Sequence, residues 1–70
     1  MFVKIIRNKK ELLFPCINTE YEIVNDNALV TIYHITGEVT TEEVKCISEN
    51  IIYFMNDFGR TVDRKTWRNI

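Results

Sequence analysis

The sequence has few of the residues on which metal, disulfide and phosphate-loop proteins depend. Two cysteines and one histidine among 70 residues are too few for a zinc or disulfide scaffold. The two glycines, Gly37 and Gly59, lie in neither a GxGxxG nor a GxxxxGK(S/T) pattern, which excludes a phosphate-binding glycine loop. No apolar run approaches the roughly 20 residues of a membrane span. We therefore expect no metal, no cofactor and no membrane segment.

Length and charge limit the chain further. Its eight aromatic residues and formal net charge of −1 exclude a disordered chain, and its length predicts a single domain over residues 1–70. The cysteines form no CxxC pair and no secretory signal precedes them, so we expect a reduced, cytoplasmic protein. A core this small supplies only about 3–5 kcal/mol of net stability. Homo-oligomerisation or a bound partner is the expected additional source.

Residues that favour strands dominate what is present. Isoleucine, valine and threonine supply 23 of the 70 residues, whereas there is one alanine and no glutamine. Periodicity and turn residues predict strands over 2–7, 11–17, 21–25, 28–36, 51–56 and 60–67. Pro15 cannot donate to a ladder, so its segment is expected at a sheet edge or in an irregular crossing.

One segment carries a signal for the start of a helix. Thr40 can cap a helix, Glu43 completes a capping box, and Val44 and Ile47 follow at helical spacing. We therefore expect a short helix near 41–49, although Val44 and Cys46 also fit a strand. The predicted fold is mainly β, in the α+β class: a small antiparallel sheet or curled barrel of about five strands with this one helix.

Charges are distributed unevenly along the chain. Residues 1–11 carry a net charge of +3, residues 20–49 carry −6, and residues 57–70 carry +2. If the terminal strands lie together, the molecule has a basic and an acidic side, which favours head-to-tail assembly or oriented docking. The alternative is that these are ordinary solvated charges, screened at physiological salt.

Three arginines near the C-terminus form the main candidate ligand site. Arg60, Arg64 and Arg68 are spaced four residues apart and share a face in a strand, and nearly so in a helix. Guanidinium groups suit phosphate or carboxylate recognition, while Phe58, Trp67 and Tyr53 offer stacking surfaces for a base. The alternative is a solvated basic strand whose arginines pair with nearby Asp57 and Asp63, with Trp67 in the core. The acidic overall composition argues against duplex nucleic acid.

A second candidate is the apolar segment that surrounds Pro15. Leu12, Phe14 and Pro15 lie in a run that a single copy leaves half-buried, so a partner or a second copy is expected to cover it. Catalysis finds less support. His34 has no Cys or Asp partner at a recognisable spacing, and both cysteines fit buried apolar positions.

These observations predict a binding module without enzymatic activity. It sequesters or blocks a target, acts as a homo-oligomer, and takes an anionic or nucleotide-type ligand near the C-terminal hairpin. The alternative is an inhibitor-like assembly component that docks on a protein through residues 12–17 and takes no small molecule. In size and composition the chain is similar to the small accessory proteins with which phages block host components, a similarity that involves no aligned motif.

Overall fold

A computed structural model describes residues 1–68, which form six antiparallel strands. The strands are β1 (Phe2–Arg7), β2 (Lys10–Val24), β3 (Asn27–His34), β4 (Val39–Lys45), β5 (Ile51–Met55) and β6 (Thr61–Thr66). They form one sheet in the order β4-β3-β2-β1-β5-β6. The expected antiparallel β architecture is therefore confirmed, with six strands in an open sheet.

The long strand β2 divides this sheet into two halves. Residues 10–15 of β2 pair with β1, whereas residues 16–24 pair with β3, and the register shifts between Cys16 and Asn18. We call β1, β5, β6 and residues 10–15 the first half, and β3, β4 and residues 16–24 the second half. The intervening Ile17 is 68% exposed, as expected of a bulged residue that bends its strand.

Pro15 lies where its missing amide costs no ladder bond. The next amide along the chain, that of Cys16, donates to the Met1 carbonyl at 3.0 Å, so it points toward the N-terminal end of β1. Successive amides in a strand point to opposite sides, and the Pro15 nitrogen therefore faces the side where β3 does not yet pair. The expected edge position is confirmed locally, although β2 as a whole is central.

Both halves contribute to one core. The buried apolar side chains come from β1, β3, β4 and β5 and from the bend in β2; they are Val3, Ile5, Cys16, Ala28, Val30, Ile32, Val44 and Ile52. Tyr21 of the second half meets Phe54 of the first half edge-on, with 6.0 Å between ring centroids. Each half therefore has an inner face that packs on the other half and an outer face that does not.

Tight turns connect the strands at the predicted positions. Asn25 adopts a positive φ of 57° between β2 and β3, as expected for a two-residue hairpin loop. Between β5 and β6, Gly59 has a φ of +77° and its amide donates to the Asn56 carbonyl at 3.0 Å. The Asn56 Oδ1 accepts the amides of Phe58 and Arg60, each at 3.0 Å, and thereby holds this turn.

The predicted helix near 41–49 is wrong. Residues Val39–Lys45 form β4, which pairs along its whole length with β3. Burial there alternates with period two, and Val44 is fully buried opposite Ala28. An isolated helix of nine residues is marginal in water, whereas the β-branched residues of this segment pack well on a pleated edge. The capping signal therefore yielded to pairing with β3.

No part of residues 1–68 is helical, and no helix long and apolar enough to cross a membrane occurs there.

Candidate functional site

The outer face of the first half carries exposed apolar and basic side chains together. Strand register places Leu13, Lys4, Tyr53 and Arg64 side by side across β2, β1, β5 and β6. Leu13 is 56% exposed. The Lys4 ammonium lies 4.8 Å from the centre of the Tyr53 ring and 3.3 Å from the Glu11 carboxylate. We call the three residues Lys4, Tyr53 and Arg64 the basic row.

The acids expected to neutralise the C-terminal arginines are occupied elsewhere. Asp57 pairs with the N-terminal amine, and Asp63 with the Lys65 ammonium at 3.1 Å. Within residues 1–68, the guanidinium groups of the three arginines form no ion pair; these are Arg60, Arg64 and Arg68. All three residues are exposed, so they are available to an external anion.

The aromatic candidates lie in different surroundings. Phe58 is 89% exposed in the β5–β6 turn, where it lines a shallow hollow with Asn56 and Arg60. Trp67 instead packs against the core. Trp67 therefore takes the core position, which was the alternative to a stacking role. Tyr53, the third candidate ring, lies beside Arg64 in the β5–β6 register.

The segment that surrounds Pro15 presents its two sets of side chains to opposite faces. Leu12 and Phe14 alternate with the exposed Leu13 and Pro15. Phe14 packs against the core and meets the His34 ring edge-on at 6.0 Å. The exposed part of this segment is therefore Leu13, Pro15 and the bulged Ile17, and it continues the outer face of the first half.

The histidine and the cysteines occupy structural positions. The His34 Nε2 lies 2.7 Å from the Thr40 Oγ1 across the β3–β4 ladder. Burial raises the pKa of the Cys16 thiol, and burial followed by the nearby Asp26 raises that of Cys46. A raised pKa disfavours the thiolate that a nucleophile or metal ligand requires. Within residues 1–68, no group of three or more potential ligands is arranged to hold a metal ion.

A cleft that no sequence pattern indicated opens between the two halves. It has a volume of about 370 Å³ and lies between residues 16–24 of β2 and strands β5 and β6. Tyr21 and Phe54 form part of its wall, and the Lys65 ammonium lies 5.1 Å from the centre of the Tyr21 ring. The hydrogen bond from Lys65, followed by that from the Arg64 amide, lowers the pKa of Asp63 at the same cleft. Only the folding of β6 toward β2 brings these groups together.

The outer face of the second half has the opposite charge. Register places Glu22, Leu29 and Glu43 side by side across β2, β3 and β4, and we call these three residues the acidic row. Glu20 lies one row away, where it accepts a hydrogen bond from the Tyr33 hydroxyl. That hydrogen bond raises the pKa of Tyr33.

The two halves of the sheet carry net charges of opposite sign. The first half, residues 1–15 and 50–68, holds eight basic and three acidic side chains, a net charge of +5. Residues 16–49 hold seven acidic side chains and one lysine, a net charge of −6. The terminal strands β1 and β6 lie in the same half, separated by β5. The charge blocks of the sequence therefore become two oppositely charged parts of the molecule.

No family model, curated protein sequence or solved structure matches this chain.

Proposed function

We propose that the chain is a binding module without enzymatic activity that takes an anionic, nucleotide-type ligand at its C-terminal hairpin. It acts as a homo-oligomer in the cytoplasm and blocks or sequesters its target. The observation that carries the proposal is the set of guanidinium groups on Arg60, Arg64 and Arg68 that form no ion pair within residues 1–68, because the nearby acids bind other cations.

The surroundings of these arginines suit a phosphate attached to a base. A guanidinium donates two parallel hydrogen bonds to a phosphate, and an aromatic ring provides a stacking surface that tolerates any base. Tyr53 lies beside Arg64 on the outer face, and Phe58 lies beside Arg60 in the turn. The ligand is thus held by charge at β6 and by stacking at a neighbouring ring.

Thermal melting with inorganic phosphate and with adenosine triphosphate tests the proposal. A ligand at about ten times its Kd stabilises the fold by about 1.4 kcal/mol. For a domain of this size, that raises the melting temperature by about 6–11 °C. We expect Arg64→Ala to reduce the rise by more than half, because Arg64 is exposed and forms no ion pair in the part of the chain that the structure describes.

Lys10→Ala is the matched control, since it removes one exposed positive charge from the β1–β2 hairpin. Equal stabilisation of wild type and Arg64→Ala would show that Arg64 does not hold the anion, and an equal reduction in Arg64→Ala and Lys10→Ala would show that the anion acts through general charge; either result would refute the site. A larger effect of adenosine triphosphate than of inorganic triphosphate, which has the same charged groups without the base, would support the stacking contribution.

A second candidate function is docking on a protein target through the segment 12–17. The exposed side chains Leu13, at 56%, and Ile17, at 68%, favour it, because they lie on one bent strand beside other half-exposed apolar groups. We expect Leu13→Ser to weaken association without loss of stability, whereas Phe14→Ala destabilises the core. Unchanged association of Leu13→Ser would refute this docking surface.

A further inference from the structure

The basic row and the acidic row have the same geometry. In each row, two charged residues lie on either side of a central apolar or aromatic residue, one residue from each of three neighbouring strands. Strands lie about 4.8 Å apart, so the charged positions of each row are separated by about 10 Å. Tyr53 occupies the centre of one row and Leu29 the centre of the other, and both side chains are half-buried.

Both rows contain charged groups that can form a further ion pair. The carboxylates of Glu22 and Glu43 and the guanidinium of Arg64 form no ion pair within residues 1–68. Lys4 contacts one carboxylate, but an ammonium has three donors and accommodates a second. The two rows lie on the outer faces of oppositely charged halves, so their long-range fields agree with the local pairing.

We propose that two copies of this chain associate head to tail, with the basic row of one copy packed on the acidic row of the next. Two outer sheet faces stacked about 10 Å apart place Tyr53 on Leu29 and the cations on Glu22 and Glu43. The interface specifies the proposed homo-oligomer, and it does not require the anion site.

Head-to-tail packing leaves both kinds of row free after each association step. The two contacting faces are different surfaces, so each copy keeps one free basic row and one free acidic row after it binds. Association therefore continues into a closed ring or an open chain. Because the charged groups are largely exposed, the association weakens as salt rises.

Sedimentation velocity of row variants tests the proposal. Lys4→Glu/Arg64→Glu reverses the basic row, and Glu22→Lys/Glu43→Lys reverses the acidic row. We expect each variant alone to associate at least about tenfold more weakly than wild type, since like charges then face each other. An equimolar mixture of the two variants restores association, because reversed basic rows again meet reversed acidic rows.

Matched controls have the same charge changes outside the rows. Lys9→Glu/Lys10→Glu alters the exposed β1–β2 turn, and Glu38→Lys/Glu49→Lys alters exposed positions beyond the acidic row. We expect both controls to associate far more like wild type than the row variants do. Arg64→Glu alone provides a variant with little risk to folding, because this exposed residue forms no ion pair with any described residue.

Three results would overturn the head-to-tail interface. They are a monomeric wild type at low salt, an acidic-row variant that associates as strongly as wild type, and a mixture of the two variants that stays monomeric. The second result would indicate that association uses a surface other than the acidic row. None of them alters the phosphate-dependent melting of Arg64→Ala, so failure here is distinguishable from failure of the anion site.

Discussion

The ion pair between Arg7 and Glu42 provides the sharpest test of how the two halves are joined. The Arg7 Nη2 donates to the Glu42 carboxylate at 3.0 Å, and its Nη1 donates to the Glu43 carbonyl at 2.6 Å. Arg7 ends β1 in the first half, and Glu42 lies in β4 of the second half. The pair therefore bridges the two inner faces at the rim of the core.

The free energy that the Arg7–Glu42 ion pair contributes follows from its burial. The side chains of Arg7 and Glu42 are 28% and 24% exposed, between a fully exposed pair and a buried one. An exposed pair contributes about 0.2–1 kcal/mol, and breaking a buried one costs about 3–5 kcal/mol. We expect a coupling free energy of about 1 kcal/mol. Arg7→Gln is expected to cost more than Glu42→Gln, because it also removes the hydrogen bond to the Glu43 carbonyl.

A double-mutant cycle in urea measures this coupling. The free energy of unfolding is obtained for wild type, Arg7→Gln, Glu42→Gln and the double variant. With a slope of about 1 kcal/mol per molar urea, Arg7→Gln lowers the midpoint by about 1–2 M. The Lys4–Glu11 pair is the control: it lies within one hairpin, and its carboxylate is 60% exposed, so its coupling is expected to be smaller.

A coupling energy near zero for Arg7 and Glu42 would refute the reasoning. So would equal costs for the two single variants. Zero coupling would mean that the Arg7 and Glu42 side chains do not interact at this rim in solution, and equal costs would mean that the hydrogen bond from Arg7 to the Glu43 carbonyl contributes no stability.

Three further predictions concern the core, the cleft and the thiols. Ile52→Ala removes a fully buried side chain at a cost of about 2–5 kcal/mol, which equals most of the stability of so small a domain; an unchanged melting temperature by circular dichroism would contradict the core assignment. The hydrogen bond from Lys65 lowers the pKa of Asp63 in the folded state. The resulting stabilisation is present above the ordinary pKa of about 3.9 and is lost as pH falls through the lower folded value. Asp63→Asn should flatten the pH dependence of the unfolding free energy over that acidic range, and an unaltered dependence would argue against the pair. With a thiol reagent, the half-buried Cys46 should react before the buried Cys16, and the reverse order would contradict the bend in β2.

Local patterns predicted the turns and most strand positions. The first predicted strand, 2–7, coincides with β1, and the predicted strand 51–56 ends one residue beyond β5. Asn25 and Gly59 mark turns because asparagine tolerates a positive φ and glycine, which has no Cβ, adopts one without strain; these properties do not depend on the rest of the fold. These features depend on a few neighbouring residues, so sequence alone was sufficient.

The β4 segment shows where local patterns were insufficient. Thr40 and Glu43 resemble a capping box, yet both lie in a strand, because pairing with β3 satisfies more backbone groups than one short helix does. The predicted strands 11–17 and 21–25 likewise join into the single β2, which the bulge at Ile17 bends rather than ends. Both differences arise from partners distant in the sequence.

The candidate site divides in the same way. Sequence identified the arginines, but it could not decide whether Asp57 and Asp63 neutralise them, because those acids find their partners through the N-terminus and along β6. For Trp67 it left open a core position and a stacking role. In the structure Trp67 packs against the core.

The amino-acid sequence alone determined the β character of this protein, its turns and its alternating blocks of charge, because these depend on residue type and near neighbours. Tertiary structure decided which residues share a row. Lys4 is distant in sequence from Tyr53 and Arg64, and the three align only through strand register, so a shift of one residue would turn each to the opposite face. The match between the basic and acidic rows is therefore a product of the fold.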